Sequence, residues 1–130
     1  MGNEFTFYDY IDADGGGNNI IKCWLNGTGK DAKAHFTLII PYLESLPPPW
    51  MTKYTKLMED EWDDFIELRK TGKVQYRLIG RMVKRNIHLV ACGIHKDQYY
   101  TTDVTPQKAK ARVSQMISDP AKYGREHEYN

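Results

Sequence analysis

Basic side chains without acidic neighbours mark the segment from Arg69 to Lys96. This segment holds eight Lys or Arg residues and no Asp or Glu, whereas the whole chain holds 18 basic and 17 acidic residues. Subtracting the eight leaves 10 basic against 17 acidic residues elsewhere, a balance of −7. A near-neutral total therefore conceals a polarised distribution of charge, and a local basic surface of this kind predicts an anionic partner.

Two arginines in the middle of this segment are spaced so that both could bind phosphates from one face of a strand. Residues two apart share a face of a strand, which places Arg77 and Arg81 on one face about 13 Å apart. Planar guanidinium groups suit neighbouring phosphates of a single-stranded nucleic acid. A solvated strand face, or an Arg77 tied to Glu67 or Asp64 across the sheet, are the alternatives. The lack of acids within the segment favours the anion site, with the Arg77 guanidinium free of carboxylates.

Stacking and proton-transfer groups accompany the same segment. Tyr76, Tyr99 and Tyr100 could stack on unpaired bases, and a phenol near cations becomes more acidic. His95 and Lys96 end the last apolar run, where they could move a proton or bind a phosphate. The alternative for the three tyrosines, Tyr76 above all, is ordinary packing. The alternative for His95 and Lys96 is a solvated loop.

Metal chemistry is not indicated by the residue pattern. The four histidines are scattered and lack the cysteine or carboxylate spacing of a zinc site. Six acidic residues crowd positions 59–67, but their spacing predicts a solvated turn rather than a set of ligands. No cofactor is expected, and any catalysis is predicted to be metal-free.

The first half of the chain predicts one strand and two helices. The aromatic, alternating run from Phe5 to Ile11 predicts a strand. A short helix is predicted over Ile20–Asn26, capped by an asparagine just before it. Thr28 is the predicted cap of a second helix, in which Pro41 predicts a kink or an early end. The prolines at 47–49 predict a stiff, non-helical connection.

The second half predicts a sheet and a final helix. Three apolar runs joined by short polar turns, Phe65–Arg69, Val74–Val83 and Ile87–His95, predict a three-stranded antiparallel meander. Thr105 followed by Pro106 predicts the start of the last helix, with Ala109, Val113, Met116 and Ile117 as its buried stripe. The tail is polar from about residue 119, and Ala121–Asn130 is predicted to be frayed.

The whole-chain numbers suit one compact domain over residues 1–130. At 41% hydrophobic residues the chain can build a core, and no apolar run approaches the roughly 20 residues that span a bilayer. Cys23 and Cys92 both lie in apolar runs, which predicts buried free thiols in a reducing compartment. The expected location is cytoplasmic, with no membrane partner.

A series of short motifs runs in a fixed order along the chain. The motifs are Phe7-Tyr8, Asn19-Ile20, Trp24-Leu25, Leu46-Pro-Pro-Pro-Trp50, Glu67-Leu68-Arg69, Val74-Gln-Tyr-Arg-Leu78, Lys96 and Thr105-Pro106. In order and spacing they resemble the RelE/HigB-like toxins, in the phage-derived branch of the RelE/ParE superfamily, from bacterial type II toxin–antitoxin systems. The likeness covers about residues 5–116.

This resemblance implies a fold and an activity. The implied fold is a single α+β domain with a twisted antiparallel sheet, two N-terminal helices packed on it and a C-terminal helix. The implied activity is metal-independent cleavage of mRNA, commonly on the ribosome, in which the 2′-hydroxyl attacks the adjacent phosphate. The implied partner is a cognate antitoxin, of the helix-turn-helix type, beside mRNA and the ribosome.

The resemblance, together with the residue types, also assigns candidate roles. Arg77 is the candidate for the scissile phosphate, and Lys96 matches a basic position after the last strand. The candidate catalytic residues are Arg77, Lys96, Tyr100 and His95. The candidate RNA-binding residues are Arg69, Lys73, Tyr76, Arg81, Lys84, Arg85 and Tyr99.

One departure from the family pattern leaves the general base unassigned. RelE proper carries lysines in the strand before its characteristic arginine, whereas this chain has Phe65-Ile-Glu-Leu-Arg69 there. Some relatives act by binding a protein target such as DNA gyrase without any enzymatic activity. A non-enzymatic toxin of that kind, or a phage interaction protein, is therefore the alternative function.

Overall fold

The computed structural model describes residues 5–45, 54–94 and 105–128, together with the backbone of 95–96 and 99–100. The predicted connection at Pro47–Trp50 lies outside these residues. The elements are β1 (Thr6–Asp12), β2 (Asn18–Asn19), α1 (Ile20–Gly27), α2 (Lys30–Glu44), β3 (Thr55–Leu57), β4 (Phe65–Lys70), β5 (Tyr76–Val83), β6 (Asn86–Lys96), β7 (Tyr99–Tyr100), α3 (Pro106–Ser118), α4 (Pro120–Tyr123) and β8 (Gly124–Glu126).

The strands form one mixed sheet. Its order is β2-β1-β6-β5-β4-β3, with β7 paired to the far end of β6 and β8 paired to β1. The antiparallel meander of β4, β5 and β6 confirms the three predicted runs. β1, however, pairs with β6 in parallel, so the sheet is not wholly antiparallel as expected. The long connection through two helices allows this parallel pairing, which a tight turn cannot make.

Helices cover both faces of the sheet. On one face α1 and α2 pack against a core that includes Phe7, Phe36 and Leu78. On the other face α3 packs against a second core that includes Tyr10 and Ile79. Successive residues of β5 therefore alternate between the two cores, as the predicted alternation requires.

A bulge in β6 adjusts the register between β5 and β6. Ile79 pairs with Ala91 while Gly80 pairs with Leu89, so β6 carries one extra residue, Val90, at this point. A side chain at position 80 would put its Cβ only 2.9 Å from the carbonyl oxygen of His88. Glycine is therefore required for this close approach of the two strands.

The helix boundaries confirm one predicted cap and correct another. The side chain of Asn19 accepts a hydrogen bond from the backbone N–H of Lys22 at 2.9 Å and caps α1 as predicted. Thr28 does not cap α2. Its hydroxyl donates to the Leu25 carbonyl at 2.9 Å and so closes α1, and Gly29, with a φ of 100°, leads into α2. A positive φ favours glycine, which explains why this residue stands at the junction of the two helices.

Proline does not end the second helix. α2 continues past Pro41 to Glu44, so the predicted early end near Ile40 is wrong. Leu43, one turn further, is fully buried in the first core. This packing holds the last turn in place although Pro41 lacks the N–H that would bond to the preceding turn.

The C-terminal tail is ordered as far as residue 128. After Pro120, a short helix leads into β8, which pairs antiparallel with β1, placing Asp9 opposite Arg125. His127 then lies buried at 7% exposure and its backbone N–H donates to the Phe7 carbonyl at 2.9 Å. The predicted frayed tail is therefore wrong, because strand pairing and one buried histidine replace the missing apolar stripe.

The last helix begins as predicted and buries most of its predicted stripe. Thr105 caps it by accepting a hydrogen bond from the backbone N–H of Lys108 at 3.1 Å. Ala109, Val113 and Met116 are buried, but Ile117 remains 53% exposed. Ile117 directly follows Met116, so it is turned about 100° around the helix from that buried side chain, toward solvent.

The two cysteines are free thiols, as predicted, but they are not both buried. Cys23 lies on the exposed side of α1, and Cys92 is partly buried in β6. A short helix turns only one side to the core, so an apolar run of this length leaves some members outside. Among the described residues, no helix is long and apolar enough to cross a membrane.

Candidate functional site

The carboxylate of Glu67 sits between two of the candidate arginines. Glu67 and Arg69 follow one another on the same face of β4, and Arg77 of β5 is directly opposite Arg69. Oε1 of Glu67 lies 2.9 Å from Nε of Arg69 and 3.1 Å from Nε of Arg77. The N–H directions at both Nε atoms fall outside hydrogen-bond geometry, so this attraction is chiefly electrostatic.

Arg77 points its guanidinium into the protein. The residue is 1% exposed, and its Nη1 donates to the carbonyl oxygens of Tyr76 at 2.9 Å and Lys70 at 3.3 Å. Its Nη2 donates to Oε1 of Gln75 at 2.6 Å. The expectation of a guanidinium free of carboxylates is therefore wrong. Its partner Glu67 lies two residues before the acid-free segment begins. The pairing of β4 with β5 brings Glu67 close to Arg77.

Four candidate residues come together at the end of β6. The antiparallel pairing of β6 with β7 sets His95 opposite Tyr100 and Lys96 opposite Tyr99. The same end of β6 lies beside the start of β5, where Gly93 is opposite Arg77. The pairing of β7 with the end of β6 thus brings these two pairs of residues to neighbouring backbone positions.

A second basic group lies at the opposite end of the meander. Lys84 and Arg85 form the two-residue turn between β5 and β6, and Lys84 has a φ of 58°. Arg81 is 3.8 Å from Asp64, and both side chains are well exposed, so this ion pair contributes little to stability. At strand rise, Lys84 is about 23 Å along β5 from Arg77, so the candidate RNA-binding residues divide between two ends.

Tyr76 and Lys73 lie on the face of the sheet that α1 and α2 cover. The ring of Tyr76 packs edge-on against Trp24, with ring centres 6.0 Å apart, and its hydroxyl donates to the Thr28 carbonyl at 3.4 Å. These contacts match the packing interpretation of Tyr76. Lys73 is exposed in the turn before β5, where it lines a cleft of about 450 Å³ together with Lys30 and Lys70.

His35 joins this end of the sheet without any signal in the sequence pattern. Its Nε2 lies 2.7 Å from the carbonyl oxygen of Arg69, and its ring contacts Phe36 and Tyr54 edge-on. Burial lowers the pKa of His35 below its usual value, which keeps the ring neutral at pH 7. A neutral ring can donate Nε2–H to the carbonyl and thus fix the end of β4 against α2.

A buried acid–histidine pair also escaped prediction. Nδ1 of His127 lies 2.8 Å from Oδ1 of Asp9, and the side-chain amide of Asn19 donates to Oδ2 of Asp9 at 3.0 Å. Both members of the pair are almost completely buried. The two residues are 118 positions apart and the tail has no apolar period, so strand pairing is the only feature that reveals their contact.

Comparisons with known proteins do not inform the site. The chain matches no protein-family model, no curated protein and no solved structure. Within the described part of the chain, no three His, Cys, Asp or Glu side chains gather as a metal site would require.

Proposed function

We propose that this chain is the toxin of a type II toxin–antitoxin pair and cleaves mRNA, on the ribosome and without a metal ion, in the cytoplasm. The proposal rests on the order of family-like motifs and on the mixed α+β fold that carries them. The observation that supports the chemistry best is the pairing of His95 and Lys96 with Tyr100 and Tyr99.

Cleavage by the 2′-hydroxyl needs a base, an acid for the leaving oxygen and a positive charge near the phosphate. His95, Lys96 and Tyr100 are residue types that can fill these roles, and none of them needs a metal. Arg69 and Lys70 end β4, two strands away from β6, and add positive charge at the same end of the sheet.

Arg77 has a positioning role in this proposal. A contact with the scissile phosphate would require its guanidinium to leave Glu67 and three other acceptors. Held as it is, the side chain ties the end of β4 to the start of β5. It thereby fixes the strand next to which β6 presents His95 and Lys96.

A neighbouring antitoxin would neutralise the basic end of the sheet. Lys30, Lys70 and Lys73 line one cleft there, with Asp31 as the acid among its lining residues. An acidic segment is the complementary partner for such a surface, and opposite charge accelerates association. Pull-down with the product of an adjacent small gene, with a Lys70→Glu/Lys73→Glu variant as the comparison, tests this partner.

Cleavage of RNA with and without ribosomes, in EDTA, tests the proposed activity. We expect cleavage to persist in EDTA and to leave 2′,3′-cyclic phosphate ends. Lys96→Ala and Tyr100→Phe should each slow it on the order of a hundredfold, as loss of one catalytic contact commonly does. Lys56→Ala, on the exposed edge strand β3, is the control. Loss of cleavage on chelation, restored by magnesium, would contradict the mechanism.

A non-enzymatic toxin that binds a protein target such as DNA gyrase is the second candidate function. The burial of Arg77 favours it, since the arginine expected at the phosphate is turned inward. In that case the purified protein would leave RNA intact and inhibit DNA supercoiling instead.

A further inference from the structure

A separate cleft opens at the end of the sheet opposite His95 and Lys96. It has a volume of about 410 Å³ and lies between the β5–β6 turn and the last turn of α3. Met116, Ile117 and the ring of Tyr8 line it as apolar walls. The exposed half of Ile117, which the sheet does not cover, forms part of this wall.

A buried histidine with unmet hydrogen-bonding capacity lines the same cleft. His88 is 7% exposed, and its Nδ1 is buried without a hydrogen-bond partner among the described residues. Its ring lies nearly parallel to that of Tyr8, with ring centres 6.0 Å apart and planes 25° apart. A buried polar atom left without a partner costs about 1–3 kcal/mol, so such an atom calls for an explanation.

Two further polar groups line the cleft. Asn86 brings a side-chain amide, and Lys84 brings an ammonium group on an exposed side chain. Burial lowers the pKa of His88 below its usual value, so its ring is neutral at pH 7 and does not repel the Lys84 charge. The cleft thus combines flat apolar walls, neutral hydrogen-bonding groups and one cation.

We propose that this cleft binds a single nucleotide unit, with its base against Tyr8, Met116 and Ile117 and its phosphate at Lys84. A free phosphate would leave the apolar walls uncovered, and an aliphatic chain would bury the amide of Asn86 without a partner. A planar heterocycle joined to an anion would cover the apolar walls and also provide hydrogen-bonding partners for the polar groups. The site lies away from His95 and Lys96, so the inference does not depend on RNA cleavage.

Titration of the full chain with adenosine 5′-monophosphate, followed by NMR, tests the site. We expect saturable shifts of the His88 ring and the Met116 methyl group, at least tenfold weaker binding of adenosine, and no shifts at these groups with inorganic phosphate. Ile117→Asp should weaken binding of the monophosphate at least tenfold, and Lys84→Ala should reduce it to the level of adenosine. Leu38→Asp and Lys56→Ala, at exposed positions elsewhere, are the matched controls.

Two outcomes would overturn the inference. One is an Ile117→Asp variant that is folded and binds the monophosphate as the unmodified chain does. The other is a set of shifts at the basic end of the sheet, around Lys30, Lys70 and Lys73, with none at the residues of this cleft. Lys96→Ala should retain binding whether or not it cleaves RNA, which separates failure of this site from failure of the proposed function.

The source of the nucleotide is decided by competition. A 2′-O-methyl hexa-adenylate, which a 2′-hydroxyl mechanism cannot cleave, is added to the monophosphate complex. Displacement with tighter binding would assign the site to one nucleotide of a bound RNA strand. Retention of the monophosphate would assign it to a free nucleotide.

Discussion

Arg77 and Glu67 form a buried ion pair whose stability depends on keeping both members. Arg77 is 1% exposed and the side chain of Glu67 is 4% exposed, so removal of the arginine takes a cation away from a buried carboxylate. Breaking a buried pair by removing one partner costs about 3–5 kcal/mol. We therefore expect Arg77→Ala to lower the free energy of unfolding by about 3 kcal/mol or more, measured by urea denaturation.

Arg81→Ala is the matched control for this prediction. Arg81 lies on the same strand, and its ion pair with Asp64 is long and exposed. Its loss should change the free energy of unfolding by less than about 1 kcal/mol. Equal losses of unfolding free energy in the two variants would show that the buried ion pair of Arg77 does not stabilise the fold more than the exposed pair of Arg81.

The two thiols should differ sharply in reactivity. Burial raises the pKa of Cys92 to about 12, which leaves about one thiolate in ten thousand at pH 8. Cys23 lies on the exposed side of α1. We expect one equivalent of a thiol reagent to react with the folded protein at pH 8 and the second only after unfolding. A Cys23→Ser variant that still reacts rapidly would contradict this assignment.

The docking of the C-terminal tail depends on His127. Its imidazole pairs with Asp9, and its backbone N–H bonds to Phe7 on the same strand, β1. Replacement by alanine leaves the Asp9 carboxylate buried with a single amide donor, at a cost of about 1–3 kcal/mol. We expect His127→Ala to accelerate amide hydrogen exchange in β8 and in the facing part of β1.

Glu128→Ala is the control for the tail. Its carboxylate pairs with Lys22 at 3.0 Å on the surface, where both side chains are about half exposed. Such a pair contributes little, so exchange in β8 should remain slow. Similar exchange in His127→Ala and in the unmodified chain would contradict the role of the buried histidine.

The sequence pattern predicts most elements but few of their junctions. The three runs of the meander are rich in apolar residues and are joined by short polar turns, and Asn19 and Thr105 are strong helix caps. These local features are confirmed. The boundary at Thr28 and the continuation through Pro41 depend on tertiary packing, which local preferences do not contain. The same holds for the extra residue at Val90, since a bulge changes register without changing composition.

The candidate site shows the same division between local and long-range information. Residue types and charge counts identify the basic segment, and the backbone register sets His95 opposite Tyr100. The environment of Arg77 could not be read from its neighbours in sequence, because its acidic partner belongs to another strand. His88 and His127 also escaped prediction, because each depends on a contact with β1.

At the scale of the whole molecule, stability should fall as the pH is lowered from about 7.5 to 5.5. Burial lowers the pKa of His35 and of His88 below 6.5, so the folded protein resists protonation that the unfolded chain accepts. Their contribution to stability is therefore complete above pH 6.5 and is lost as the pH falls through the lowered values. Burial raises the pKa of Glu44 above 4.5, so the charged carboxylate lowers the stability of the folded protein at high pH. That destabilisation is relieved as the pH falls through the raised pKa, which opposes the effect of the two histidines.

Urea denaturation at several pH values measures this dependence. Replacement of His88 by phenylalanine keeps a ring against Tyr8 and removes one titrating group. The free energy of unfolding should therefore change less steeply between pH 7.5 and 5.5, which is about one unit on either side of the ordinary pKa of histidine. An unchanged slope in both His88→Phe and His35→Gln would show that these two residues do not control acid stability.

We propose that the end of β6 carries the chemistry while Arg77 holds the structure. The most direct measurement compares RNA cleavage per folded molecule in two variants. Lys96→Ala should keep its melting temperature and lose cleavage about a hundredfold. Glu67→Leu/Arg77→Met, which replaces the buried pair by apolar groups, should remain folded and retain cleavage within about tenfold. A folded double variant without activity, beside a fully active Lys96→Ala, would contradict the account.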